Sequence, residues 1–290
     1  MPHADAITFV NRARANAPRL AVTATIIAIV AVAACGSSAP KRPTLVTEPP
    51  TPPRQAKWGL EWSDDFNGPT LDATNWITSD GPVEVNSELE YYSPSAVSIE
   101  NGSLVLRSDK QTTGTRAYTS GEVRTGTKHV VSRGSAVEWR TQVPSGKGIW
   151  PANWLVATPC NGLQGCGSNW PPEIDVMEMR GSAPNVNIMT HWWGSYPGQQ
   201  YQSTPWTSTT DLSLDYHTYR VEWYRDSIIW YVDGVQRAKH TDHITDGAMQ
   251  LVMNTAVGGQ FDGNPDGTTT FPQFQRIDYV RVYRDTANVY

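Results

Sequence analysis

Hydrophobic and polar side chains alternate with a period of two through much of the chain after Trp58. In TYRVEWY, Tyr219, Val221 and Trp223 fall on one side and Arg220, Glu222 and Tyr224 on the other, the pattern of a strand with one buried face. AVSIE and SLVLRS flank Asn101-Gly102, SAVEWRTQV follows Arg133-Gly134, IIWYVDGVQRAK contains Asp233-Gly234, and IDYVRVYR comes near the end. Asn-Gly and Asp-Gly suit two-residue hairpins because both central positions take positive φ. Such turn signals recur at intervals of roughly eight to twelve residues. No stretch of about eleven residues carries a helical period, and no internal repeat is present. The expectation is an all-β fold, an antiparallel sandwich or jelly roll, with residues 57–290 as one domain.

The first 56 residues follow different rules. Arg12, Arg14 and Arg19 precede AVTATIIAIVAVAA (Ala21 to Ala34), an uncharged run too short for a bilayer core of roughly 30 Å but suited to a signal-peptide h-region. It stops at Cys35 in VAACGSS, which resembles a bacterial lipobox, so residues 1–35 are expected to be a lipoprotein signal peptide with Cys35 as the lipidated first mature residue. The alternative is an ordinary signal peptide with an incidental cysteine. Prolines at 40, 43, 49, 50, 52 and 53 make residues 36–56 an extended tether. The expected location is extracytoplasmic, either lipid-anchored to the cell membrane or released into the envelope.

Composition narrows the partners. The 290-residue chain has a net charge of -5 and no run of basic residues, which argues against a nucleic-acid surface. Twelve Trp and twelve Tyr against five Phe favour rings with a polar edge, as sugar binding needs, although a large β core uses them too. Cys160 and Cys166 close a short loop; in an exported chain a disulfide is expected, with two neighbouring thiols as the alternative.

Chemistry concentrates in EIDVME, Glu173 to Glu178, which follows Trp170-Pro171-Pro172. The β-branched residues Ile174 and Val176 favour a strand. On a regular strand Glu173 and Asp175 share a face and Glu178 points to the other. A β-bulge at Val176-Met177 would restore Glu178 to the first face. The two glutamate backbones would then lie roughly 13 Å apart, and inward-leaning side chains could approach the ~5–5.5 Å carboxyl separation of retaining glycosidases. The alternatives for these acids are a solvated strand face or a cation site.

The residues around the acids resemble glycoside hydrolase family 16, in particular its bacterial laminarinase-like endo-β-1,3-glucanases. The resemblance begins at WSDDFNGPTLDATNW and continues through VNSELEYYSPSAVSIENGSLVLRS and YTSGEVRT to GIWPANWL and EIDVMEMRG. It resumes at HTYRVEWYRDSIIWYVDGV and ends with MNTAVGG and FPQFQRIDYVRVYR. It implies an antiparallel β-jelly-roll sandwich with a concave glycan-binding cleft and retention of anomeric configuration. Glu173 would be the nucleophile, Glu178 the general acid/base and Asp175 the residue assisting both.

The same resemblance suggests Asn86, Glu88, Arg124, Trp150, Trp154, His191 and Asn254 as substrate-binding residues. Trp154 and His191 could instead be buried core groups, and Trp139 and Trp223 are expected to pack the sandwich. A structural calcium is implied at Asp65, Gly102 and Asp278, where the family usually has Glu in place of Asp65. No cofactor is expected for catalysis. Glu90 stands where glutamine is common, and residues 194–211 are expected to form a loop beside the cleft. The partner would be a β-glucan, the membrane would be met only through the lipid anchor, and a monomer is expected. A transglycosylase of the same family and a non-catalytic glucan-binding lectin are the competing readings.

Overall fold

The computed structural model describes residues 56–160, 166 and 169–288; the leader, Cys35 and the tether up to residue 55 lie outside the described residues. Among the described residues, two large sheets and one small one account for the strands. The first runs β17 (Val235–His240), β16 (Ile228–Val232), β15 (His217–Trp223), β10 (Ser135–Gln142), β19 (Gln273–Asp285), β6 (Ser103–Ser108) and β5 (Val97–Glu100), with β1 (Trp58–Asp64) also on β19. The second runs β14 (Gln200–Thr207), β13 (Val186–Trp193), β12 (Glu173–Glu178), β11 (Ile149–Ala157), β18 (Met249–Val257), β8 (Glu122–Arg124) and β2 (Ile77–Thr78), with β9 (Val130–Val131) on β18. Strands β3 (Gly81–Pro82), β4 (Glu90–Tyr92) and β7 (Tyr118–Ser120) form the small sheet, in which β4 and β7 pair in parallel. In both large sheets the pairing is antiparallel throughout, as a jelly roll requires.

Period-two alternation delivers one face of each large sheet to a shared core. Val137, Trp139, Tyr219, Val221, Trp223, Val280 and Val282 from the first sheet pack in the cluster that holds Leu155, Ile174, Met189, Leu251 and Met253 of the second. Each side chain of this size contributes about 1.5–3 kcal/mol on burial. Trp139 and Trp223 pack there as expected.

A buried polar chain crosses this apolar layer. Asn153 donates to Thr141 Oγ1 (2.9 Å) and accepts from Gln275 Nε2 (2.9 Å), while Gln275 Oε1 accepts from Thr255 (2.8 Å). Its members come from β10 and β19 on one side and β11 and β18 on the other. Displacing one sheet relative to the other would leave these groups unpaired, at about 1–3 kcal/mol each, so the chain pins the register of the layers. With the core face fixed, the opposite face of the second sheet is free to carry chemistry.

Candidate active site

The register between β11 and β12 contains the bulge that the spacing of the acids demands. Val156 pairs with Glu173, Leu155 with Ile174 and Trp154 with Asp175; the next pair is Asn153 with Met177, followed by Ala152 with Glu178. Two consecutive residues of β11 thus oppose three of β12, and the extra residue falls at Val176-Met177. The core explains why. Ile174, Val176 and Met177 all belong to the buried cluster, so the chain sends two successive side chains inward and returns Glu178 to the face of Glu173 and Asp175. Without the bulge Glu178 would enter an apolar layer, where an unpaired carboxyl costs several kcal/mol.

Each carboxyl meets its own indole. Trp170 Nε1 donates to Glu173 Oε2 (2.9 Å), Trp192 Nε1 to Asp175 Oδ2 (3.2 Å) and Trp150 Nε1 to Glu178 Oε1 (3.0 Å). A fourth ring, the core Trp230, donates to the Asp175 carbonyl (2.9 Å) and fixes the backbone beneath the triad. Trp150 is stacked on Phe261 with ring centroids 4.7 Å apart, which sets the direction of its N–H. Trp170 and Trp192 were not anticipated as site residues. Trp192 has the parity of the acids because Glu173 pairs with it across β12 and β13, a relation that appears only once the two strands are in register.

Burial raises the proton affinity of all three acids. It lifts Glu173 and Glu178 well above the ordinary glutamate range and Asp175 to about 7, and the negative charge of Asp175 adds to the rise in both glutamates. The indole donors act in the opposite direction by favouring the ionised forms. Such a set gives up protons as a unit, so part of the group can be ionised while a neighbouring carboxyl stays protonated. That is the division of labour acid catalysis beside a nucleophile requires.

Beside the triad, Trp154 lies in the cross-strand row of Asp175 and Val252, partly exposed, and its Nε1 donates to Asn254 Oδ1 (2.8 Å). It therefore lines the acid-bearing face. Asn254 pairs across with Glu122 and donates to the Tyr92 hydroxyl (2.8 Å). Arg124 reaches Ser79 Oγ (2.6 Å) and Glu122 Oε1 (3.2 Å). Asn86 donates to Glu88 Oε1 (2.9 Å), and Glu88 bridges to Gly258 at the end of β18. These residues put a second group of carboxyls, Glu88, Glu90 and Glu122, on the other flank of the face.

The sequence and the fold are similar to those of known proteins. The sequence pattern of Glycosyl hydrolases family 16 fits residues 85–281, taking in both flanks of the acid-bearing face. The chain belongs to glycosyl hydrolase family 16. A second pattern, Beta-glucan synthesis-associated protein SKN1/KRE6/Sbg1, fits residues 6–163 and ends before Glu173. The chain is 33% identical over 273 residues to Glucan endo-1,3-beta-glucosidase A1 of Niallia circulans, covering 81% of this chain and 39% of that protein. It thus spans about two fifths of that relative's length. Among solved structures, the Pyrococcus furiosus endo-beta-1,3-glucanase matches with a TM-score of 0.70 at 32% identity, over 79% of this chain and 95% of that one. The laminarinase catalytic domain of Thermotoga maritima matches with a TM-score of 0.70 at 33% identity, over 79% and 99%.

Within this family 16 chain two expectations need correction. His191 does not face the cleft: it pairs with Ile174, on the core side, and is fully buried. Its Nδ1 meets His240 Nδ1 (2.9 Å) and its Nε2 the Asp242 carbonyl (3.2 Å), and His240 Nε2 in turn meets Thr204 (2.9 Å). Burial lowers the proton affinity of both imidazoles, that of His240 to about 4, so they form a neutral pair between the sheets.

The segment 194–211 is not simply a loop. Gln200–Thr207 forms β14 at the edge of the second sheet, paired with β13 along its length. Its alternation is hidden because Gln202 and Thr204 occupy inward positions beside Trp206, which packs under the Arg237 guanidinium at 4.1 Å. Pro205 is tolerated on such an edge. Tyr201, on the other parity, lies 4.6 Å from the ring of Trp192.

Both acids named for calcium have a cationic neighbour. Asp278 pairs with Arg140 (2.7 Å) and Asp65 with Arg281 (3.4 Å), so each acid already has a cation. Among the described residues no three His, Cys, Asp or Glu side chains cluster as metal ligands. Cys160 and Cys166 are joined in a disulfide. Gln250 Nε2 donates to the Cys160 carbonyl (2.7 Å), tying that loop to the row of Val156 and Glu173.

Proposed function

We propose that the chain is an endo-acting β-1,3-glucanase that hydrolyses laminarin-like chains with retention of configuration. The observation that carries this reading is the bulged strand, which sets Glu173, Asp175 and Glu178 on one face with an indole donor to each. The likeness to proteins called endo-β-1,3-glucanase and laminarinase supports the substrate class.

In the first step the ionised Glu173 attacks the anomeric carbon as Glu178 gives its proton to the departing glycosidic oxygen. In the second, Glu178 takes a proton from water, the water oxygen bonds to the anomeric carbon, and Glu173 leaves with its bonding electrons. Asp175 keeps Glu178 protonated between turnovers by its adjacent negative charge. Trp150 and Trp154 offer ring surface to the apolar faces of the sugars, and Asn86, Glu88, Arg124 and Asn254 offer hydrogen bonds to their hydroxyls. Reducing ends should appear when residues 57–290 are incubated with laminarin, and their absence from both laminarin and mixed-linkage glucan would overturn the substrate assignment. The apolar run ending at Cys35 further supports an exported, lipid-anchored protein. Radiolabelled palmitate should enter the wild type and not Cys35→Ala.

A further inference from the structure

A bulge leaves backbone groups without ladder partners, and on β12 those groups belong to the catalytic strand itself. Pairing between β12 and β13 stops at Asp175 with Thr190 and returns only at an isolated bridge between Met179 and Asn187. Between these points Val176, Met177 and Glu178 face only Ile188 and Met189. One side chain spans the mismatch. Asn187, fully buried, accepts from the Glu178 N–H through Oδ1 (3.1 Å) and donates through Nδ2 to the Val176 carbonyl (3.2 Å). A primary amide carries a donor and an acceptor about one peptide unit's width apart, so it can replace the two missing ladder bonds together. Neither Asp nor Leu, of similar size, offers both.

We propose that Asn187 is a positioning residue for the acid/base: by clamping the backbone on both sides of Met177, it sets where the Glu178 carboxyl stands relative to Glu173. Glu173 lies on the far side of the bulge and is held through its own pairs with Val156 and Trp192. Loss of the clamp therefore moves Glu178 and leaves Glu173 in place. The consequence is specific to proton transfer. A displacement of about 1 Å can cost on the order of 10²-fold in rate, and here it falls on steps that need Glu178.

This inference rests on the double-displacement reading above, and the test separates the two. Wild type, Asn187→Ala and Asn187→Asp are compared on laminarin and on 2,4-dinitrophenyl β-laminaribioside, whose phenolate leaves with the bonding electrons and needs no proton from Glu178. On laminarin, kcat should fall on the order of 10²-fold in Asn187→Ala with KM within about threefold of wild type. Asn187→Asp, which keeps the acceptor for the Glu178 N–H, should fall less and serves if the alanine variant does not fold. On the dinitrophenyl substrate the first turnover should stay near wild type, followed by slow steady-state release. Azide should accelerate that release: it attacks the anomeric carbon, the bond to Glu173 breaks with its electrons returning to the carboxylate, and a glycosyl azide forms without a general base. Equal loss on both substrates with no azide effect would make Asn187 merely structural and overturn the proposal, as would an unchanged kcat on laminarin. Wild type inactive on both substrates would instead overturn the glucanase reading itself.

Discussion

Two groups of buried carboxyls share the acid-bearing face of the second sheet, and they are solvated in opposite ways. Glu173, Asp175 and Glu178 each receive one indole N–H. Glu122 is instead embedded in polar contacts, with Ser79 Oγ at 2.5 Å and Arg124 at 3.2 Å, and Glu90 accepts from the Val257 N–H at 2.8 Å. Burial raises the proton affinity of both groups, Glu122 to about 7. The difference is what each can release. An acid with one neutral donor can change charge during a reaction, whereas an acid tied to a cation, a hydroxyl or a backbone amide is held as a brace. Charge density alone does not mark the chemistry; the partners do.

The largest expected effect tests that contrast directly. Glu173→Gln and Glu178→Gln should each lower kcat on laminarin by about 10³-fold or more, since one removes the attacking group and the other the proton source. Glu122→Gln, which keeps the shape and an acceptor oxygen, should stay within about tenfold of wild type. A Glu122→Gln variant as dead as Glu178→Gln would erase the distinction between the two groups.

The pH profile gives a finer test, with two variants moving in opposite directions. The alkaline limb of kcat/KM reports loss of the Glu178 proton. Asp175 raises the proton affinity of Glu178 by its charge, so Asp175→Asn should move that limb to lower pH. Trp150 favours the ionised form through its N–H, so Trp150→Phe should move it to higher pH. Shifts of the same sign in both would mean that the limb belongs to another group.

Much of the scaffold was legible in the sequence, because period two and turn dipeptides are local signals. The bulge was legible for a subtler reason: Glu173 and Glu178 cannot share a face at that spacing otherwise. What failed depends on register between strands. The side of His191 is decided by its pairing with Ile174, and nothing within MTHWWG reveals that partner. Strand β14 escaped notice because its inward positions carry Gln and Thr, and Asn187 because a bulge clamp looks like any polar residue in a strand. The ion-pair partners of Asp278 and Asp65 were equally hidden, since Arg140 and Arg281 come from strands distant in sequence.

The smallest effect concerns stability. Glu90 is fully buried, with Oε2 on the Val257 N–H and Oε1 without a hydrogen-bond partner other than its neighbour Glu88. Burial, then the charge of Glu88, raises its proton affinity well above the ordinary glutamate value of 4.5. A group bound more tightly to its proton in the folded state contributes stability that is complete below the unfolded value and is lost as pH rises through the folded one. Glutamine offers the same acceptor to Val257 and an N–H₂ to Glu88 at every pH. Glu90→Gln should therefore melt close to wild type near pH 4 and above it at pH 8–9. The expected gap is a few degrees, since about 1 kcal/mol shifts Tm by roughly 2–4 °C in a domain of this size. Melting curves across that range decide the matter. A gap that is constant with pH would mean that Glu90 titrates like an exposed acid, and one that closes as pH rises would mean that the ionised form is the brace.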